Sequence, residues 1–248
     1  DALLTVRPSA AEAKYFHDRL RGGLAYLNTT STVAESSNAA AITEFGNDTI
    51  DLGGGLGSLN AVSTDYLYYL FQRAAGFFDV VCYNGSGVAH TETHNLGVAP
   101  EFMIVKNRDI ADEWAVYHKD IDVDSDSAPE TDRIYMTTQA AGDNVSTWND
   151  TAPTAATFGV GTHHDVNASA EKYIAYLFAT VAGVSKVGGY TGTAASLDLD
   201  MGFAAGARFF WVRRWDATGA WYIYDTSRGI VAGNDPYLLT NSTAPQST

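Results

Sequence analysis

Cysteine occurs once in the 248 residues, at Cys82, so no disulfide can form within the chain. Its place in the apolar run FFDVVCY predicts a packed thiol rather than a nucleophile. Basic residues are also scarce: five lysines and ten arginines face 29 carboxylates, for a formal charge of −14. That balance excludes a nucleic-acid groove, which needs a dense Lys/Arg surface, and disfavours docking on an anionic membrane. No apolar run approaches the roughly 18 residues of a membrane span. Helical periodicity is nearly missing too; the main candidate is SAAEAKYFHDRLRG (9–22), with Pro8-Ser9 as a start and Gly22 as a stop.

What the chain has instead is repetition. DYLYYLFQRAAGFFDVVCYNG (65–85) and KYIAYLFATVAGVSKVGGYTG (172–192) align without gaps at an offset of about 107 residues. The alignment matches Tyr66 with Tyr173, Tyr69 with Tyr176, Gly76 with Gly183 and Tyr83 with Tyr190. The same offset joins Trp114 to Trp221 and Tyr117 to Tyr224, and a partial copy opens the chain through Asp18, Arg21 and Gly22, which answer Asp225, Arg228 and Gly229. A repeat of this size is a domain-like unit rather than a solenoid turn.

The apolar stretches are short, rich in Val, Ile, Tyr, Phe and Trp, and bounded by Gly, Asn, Asp or Ser, the pattern of strands and turns. FFDVVCY, EFMIVK, EWAVYHK, RIYMTT, TFGVG and KYIAYLFATV are the expected strands of the complete unit. The expected fold is all-β, as tandem antiparallel β-sandwich modules of about 107 residues. The boundaries are expected near Gly76 and Gly183: a partial first module at 1–76, a complete second at 77–183 and a partial third at 184–248.

HNLGVAPEFMIVKNR (94–108), EWAVYHK (113–119) and FGVG (158–161) with VNASAEKYIAYLFATVAGVSKVGGYTG (166–192) together resemble a repeat of tailed-bacteriophage structural proteins, of the tail-fibre-like or appendage kind. The resemblance runs over essentially the whole chain and rests on scaffold positions such as Gly97, Pro100, Trp114, Asn167 and Gly192. The third copy departs from it, with Ala205 where the second has Pro100. The resemblance implies a non-enzymatic virion component, on an extracellular particle, that contacts other virion subunits, assembles as a homo-oligomer and binds a host-surface glycan or protein. A capsid decoration protein and a secreted glycan-binding or cell-surface glycoprotein are the alternatives.

Several motifs invite a chemical reading. HTETH (90–94) puts two histidines on one face of a strand, but no cysteine partners them, so a polar strand is the preferred reading over a metal site. HHD (163–165) suggests a triad with no nucleophile beside it; turn polarity is preferred. Asp120, Asp122, Asp124 and Asp126 alternate as calcium ligands would, yet Ser125 and Thr131 stand where an EF-hand needs Gly and Glu. Calcium and a plain solvated loop remain the two alternatives, and no other cofactor is expected. Trp148, Trp215 and Tyr237, in turn-like segments, are candidates for stacking on sugar rings. Seven asparagines, Asn28 and Asn167 among them, sit in N-x-S/T sequons, read here as turn chemistry copied with the repeat.

Overall fold

The apolar stretches form antiparallel strands throughout. The structure, a computed structural model, describes residues 1–54, 57–230 and 235–248. β1 (Ala2–Val6), β2 (Tyr15–Asp18), β3 (Ala25–Asn28) and β4 (Ser36–Ser37) make a meander. A hairpin of β5 (Ile42–Phe45) and β6 (Ile50–Leu52) and a single helical turn α1 (Gly57–Asn60) follow, before β7 (Leu67–Phe71) returns to pair with β1. Next come β8 (Phe78–Asn84), β9 (His90–Thr93), β10 (Phe102–Asn107), β11 (Trp114–His118), β12 (Asp132–Tyr135) and β13 (Gly142–Asp143). They are followed by α2 (Val145–Trp148), β14 (Thr157–Val160), α3 (His164–Asn167) and β15 (Lys172–Phe178). Six of these strands form one sheet in the order β13-β12-β11-β10-β15-β8, while β9 and β14 pair separately. The last sheet holds β16 (Phe209–Val212), β17 (Tyr222–Asp225) and β18 (Leu238–Leu239). Among the described residues no helix is long and apolar enough to cross a membrane.

The three hairpins β1–β2, β10–β11 and β16–β17 share one register: Ala2, Phe102 and Phe209 face Asp18, His118 and Asp225. Strand alternation then sorts the side chains. Leu4, Ile104, Val116, Tyr176 and Ile223 turn inward and join the three sheets that carry these hairpins in one core around Trp114 and Phe16. Met103, Val105, Tyr117, Tyr173 and Leu177 turn outward and are covered in a second core by Phe158 and Val160 of β14, Trp148 of α2 and Val166 of α3. Leu3 does the same beneath Ile42 and Leu59. The sheets therefore bury their inner faces against one another, where the sequence suggested separate sandwiches. Fully burying one such side chain contributes about 1.5–3 kcal/mol.

Polar contacts close the three sheets into a ring. Lys14, Trp114 and Trp221 occupy one position of the repeated hairpin, four residues before Asp18, His118 and Asp225. Trp114 Nε1 donates to the Ser31 carbonyl at 3.0 Å, Trp221 Nε1 to the Tyr135 carbonyl at 3.0 Å, and Lys14 Nζ to the Ser242 carbonyl at 2.6 Å. The second sheet thus holds the first, the third holds the second, and the first holds the third. Buried carbonyls gain partners this way, which removes a desolvation penalty as well as making a bond. At the crossings between segments, Gly76 and Gly183 adopt φ of 76° and 74°, a left-handed turn that a side chain would strain.

Residues 9–22 contain no helix; Tyr15–Asp18 is strand β2, sandwiched between β1 and β3. Sheet pairing on both sides and complete burial of Phe16 outweigh the helix propensity of the Ala- and Glu-containing approach. His17 on the same strand is fully buried, and desolvation, assisted by Arg21, lowers its pKa to about 4. The fold therefore favours the neutral ring. Its contribution is complete above the unfolded value near 6.5 and is lost as pH falls towards 4, amounting to about 3 kcal/mol. We expect His17→Phe, which keeps an aromatic ring beside Tyr26, to flatten the decline in melting temperature between pH 6.5 and 4. An unchanged slope would place the acid sensitivity elsewhere.

Candidate functional site: an open cleft beside strand β16

A cleft of about 1540 Å³ lies where the third sheet meets the other two. Its walls include Phe102, His118 and Phe178 from the second sheet and Phe209, Trp211 and Trp215 from the third segment. The rings form a continuous aromatic lining: Phe102 meets Trp211 edge-on with centroids 5.7 Å apart, and Trp211 meets Trp221 at 5.5 Å. The inward pleat of β10 and β16 puts these rings on one side, and both strands come from repeated positions. At the rim, burial lowers the His118 pKa, while its Nδ1 accepts from the Asp120 amide at 3.2 Å. Arg213 is anchored by the carbonyls of Tyr135, Thr137 and Gln139, so its charge is occupied in joining the second and third sheets.

The three aromatic candidates part company. Trp148 is 1% exposed, and its Nε1 donates to the Asp132 carbonyl at 2.9 Å. It packs edge-on against Tyr117 in the outer core of the second sheet, so no sugar ring reaches it. The expectation failed because α2, capped by Asn144, folds the turn inward over that sheet. Trp215 is half-buried and lines the cleft. Tyr237, also half-buried, packs with tilted rings among tyrosines, 5.2 Å from Tyr222 and 6.1 Å from Tyr224, and is not among the residues lining the cleft. Sequence reading missed Phe102, His118, Phe209 and Trp211. The signal for them was the repeat: the hairpin they sit on occurs three times, and the Tyr-Leu-Phe strand that covers it occurs twice.

In the acidic loop, Asp122, Asp124 and Asp126 are exposed, and their ligand oxygens lie within 4.8 Å of one another. Asp120 stands apart from this group, ion-paired to Lys119 at 2.8 Å. The oxygen set suits a hard cation. The same carboxylates also hold the loop's own backbone: Asp122 accepts from Ser127 N, Asp124 from Asp126 N, and Asp126 from Ala128 N. Such local bonds account for the alternation of aspartates without an ion.

His163, His164 and Asp165 also bring ligand atoms within 4.8 Å of one another. His164 Nδ1 lies 2.7 Å from Asp112, and that bond raises the histidine's pKa. Asp165 is 1% exposed, flanked by His163 at 3.2 Å and Arg133 at 4.0 Å. Burial raises the pKa of the Asp112 carboxyl. His163 caps α3 by accepting from the Asp165 amide, a turn role. His90 and His94 are separated by their partners: His90 reaches Glu92 at 2.8 Å, whereas His94 bonds the Thr154 carbonyl and the Leu96 amide.

Several of the sequon asparagines act on the backbone. Asn28 and Asn144 accept from the amides of Thr30 and Ser146, while fully buried Asn167 donates to the Val88 and Gly161 carbonyls. Cys82, expected to be packed, is exposed: β8 is the sheet's edge strand. Partial desolvation raises its thiol pKa, the opposite of nucleophile activation.

A family model described as "Domain of unknown function (DUF7483)" matches residues 4–248. No curated protein and no solved structure matches the chain.

Proposed function

Because the chain belongs to that family over nearly its whole length, we propose that family membership here means a non-catalytic structural module, built from repeats of about 107 residues, that works by surface contact as part of a tailed-phage virion. One observation carries the reading: the repeated buried polar groups are spent on joining segments. Tyr176 donates to Asp18, which pairs with Arg21; Tyr69 donates to Asp225, which pairs with Arg228. A duplicated clasp of this kind serves cohesion between units, and nothing in it is aimed at a substrate. Segments found in one copy alone, such as the acidic loop at 120–132 with its exposed residues 122–127, are where a scaffold carries individual contacts.

On this reading the partners are other virion subunits, including further copies of the chain, and a glycan or protein on the host surface. A density map of the intact particle tests it. Density for the three-sheet ring in a tail appendage with the acidic loop outward supports attachment. Density on the capsid lattice makes the protein a decoration subunit, and absence from purified particles would sink the virion assignment.

A further inference from the structure

β7 and β15 occupy the same slot in their sheets. Each pairs antiparallel with the first strand of its hairpin, Tyr69 facing Leu4 and Tyr176 facing Ile104. Each also reaches across to the hairpin of a neighbouring sheet, where Tyr69 Oη lies 2.7 Å from Asp225 and Tyr176 Oη 2.9 Å from Asp18. Their shared sequence is Tyr-(Leu/Ile)-x-Tyr-Leu-Phe, at 66–71 and 173–178. The third hairpin has the register of the other two, with Trp211 where they have Leu4 and Ile104. Among the described residues, however, β16 pairs with β17 alone, and the 248 residues hold no third strand of that sequence.

The cleft lies along this unpaired edge and reaches His118, the residue that takes the place of Asp18 and Asp225 in the remaining hairpin. A sheet edge presents a row of backbone donors and acceptors that another strand can satisfy, with alternate side chains entering pockets. We propose that the cleft is the docking site for an extended strand of a partner polypeptide carrying the Tyr-(Leu/Ile)-x-Tyr-Leu-Phe pattern. The strand adds antiparallel to β16, its inward apolar residues cover Phe209 and Trp211, and its second tyrosine bonds His118. The chain itself shows twice what fills such a slot. This inference is independent of the virion reading, since strand capture succeeds or fails wherever the protein resides.

The test uses the whole protein and a synthetic peptide of residues 171–179 (EKYIAYLFA) with lysines added for solubility. Tryptophan fluorescence reads binding, and amide hydrogen exchange reads its place. The expected result is binding at least tenfold tighter than a scrambled peptide, with new protection at 209–212. His118→Ala should weaken it about tenfold, the size of one net hydrogen bond. That loss should vanish for a peptide whose second tyrosine is phenylalanine, and an unchanged melting temperature of the variant keeps the comparison clean. Equal binding of the scrambled peptide, protection elsewhere than β16, or a cleft already closed by self-association would each overturn the proposal. So would an oligosaccharide that binds the cleft while the peptide does not.

Discussion

Replacing Arg21 with alanine will destabilise the protein by about 3–5 kcal/mol, the cost of stripping one partner from a buried ion pair. Arg21 and Asp18 side chains are both fully buried, their Nε and Oδ2 atoms 2.5 Å apart. The same guanidinium reaches Glu35 at 3.0 Å, the Phe16 carbonyl at 3.0 Å and the Tyr176 hydroxyl at 3.1 Å. Burial opposes its charge, but Tyr176, Asp18 and Glu35 more than offset that and hold the proton on. Without Arg21 the Asp18 carboxylate stays buried with only the Tyr176 hydroxyl and the Arg21-position amide as donors. Urea unfolding with an unchanged slope measures the loss. Tyr176→Phe alone should cost about 1.5–3 kcal/mol, as a hydrogen bond to a charged group does. Arg228→Ala should resemble Arg21→Ala, since Arg228 and Asp225 are 5% and 4% exposed in the matching clasp. A loss below about 1 kcal/mol at Arg21 would mean that the clasp is a solvated surface pair that does not hold the segments together.

Trp148→Ala should cost a similar amount, about 3–5 kcal/mol, by the usual price of emptying an aromatic site in a packed core. It leaves a cavity beside Tyr117 and strands the Asp132 carbonyl that the indole bonded. Trp215→Ala, at the half-buried cleft wall, should cost about 1 kcal/mol or less and act on cleft ligands instead. Thermal unfolding of the two variants separates the roles. If Trp148→Ala left the melting temperature within a degree or two, the residue would not be core, and a surface role for it would return.

Much of the strand pattern was readable because alternation is local: FMIVK and WAVYH state their two faces within five residues. The repeat was readable for the same reason, as Tyr69 with Tyr176 and Gly76 with Gly183 are identical residues under identical local demands. The approach to β2 misled, since an Ala- and Glu-containing stretch satisfies helix propensity and only pairing to β1 and β3 makes it a strand. Trp148 and Trp215 look alike as aromatics in polar turns. What distinguishes them is the sheet that happens to lie beneath one and the cleft beside the other.

Composition and local pattern were enough for an acidic, all-β chain with one cysteine, its main strands, its turn glycines and the recurrence of one unit. Each of these follows from composition or from a pattern spanning a few residues. Long-range packing alone made three sheets share a core and close into a ring. It alone brought Tyr176 to Asp18 and Tyr69 to Asp225 across about 157 residues of chain, and left β16 without a partner on one edge. Those outcomes depend on which faces meet, and a strand's own residues record that it has a face to bury without recording what will cover it.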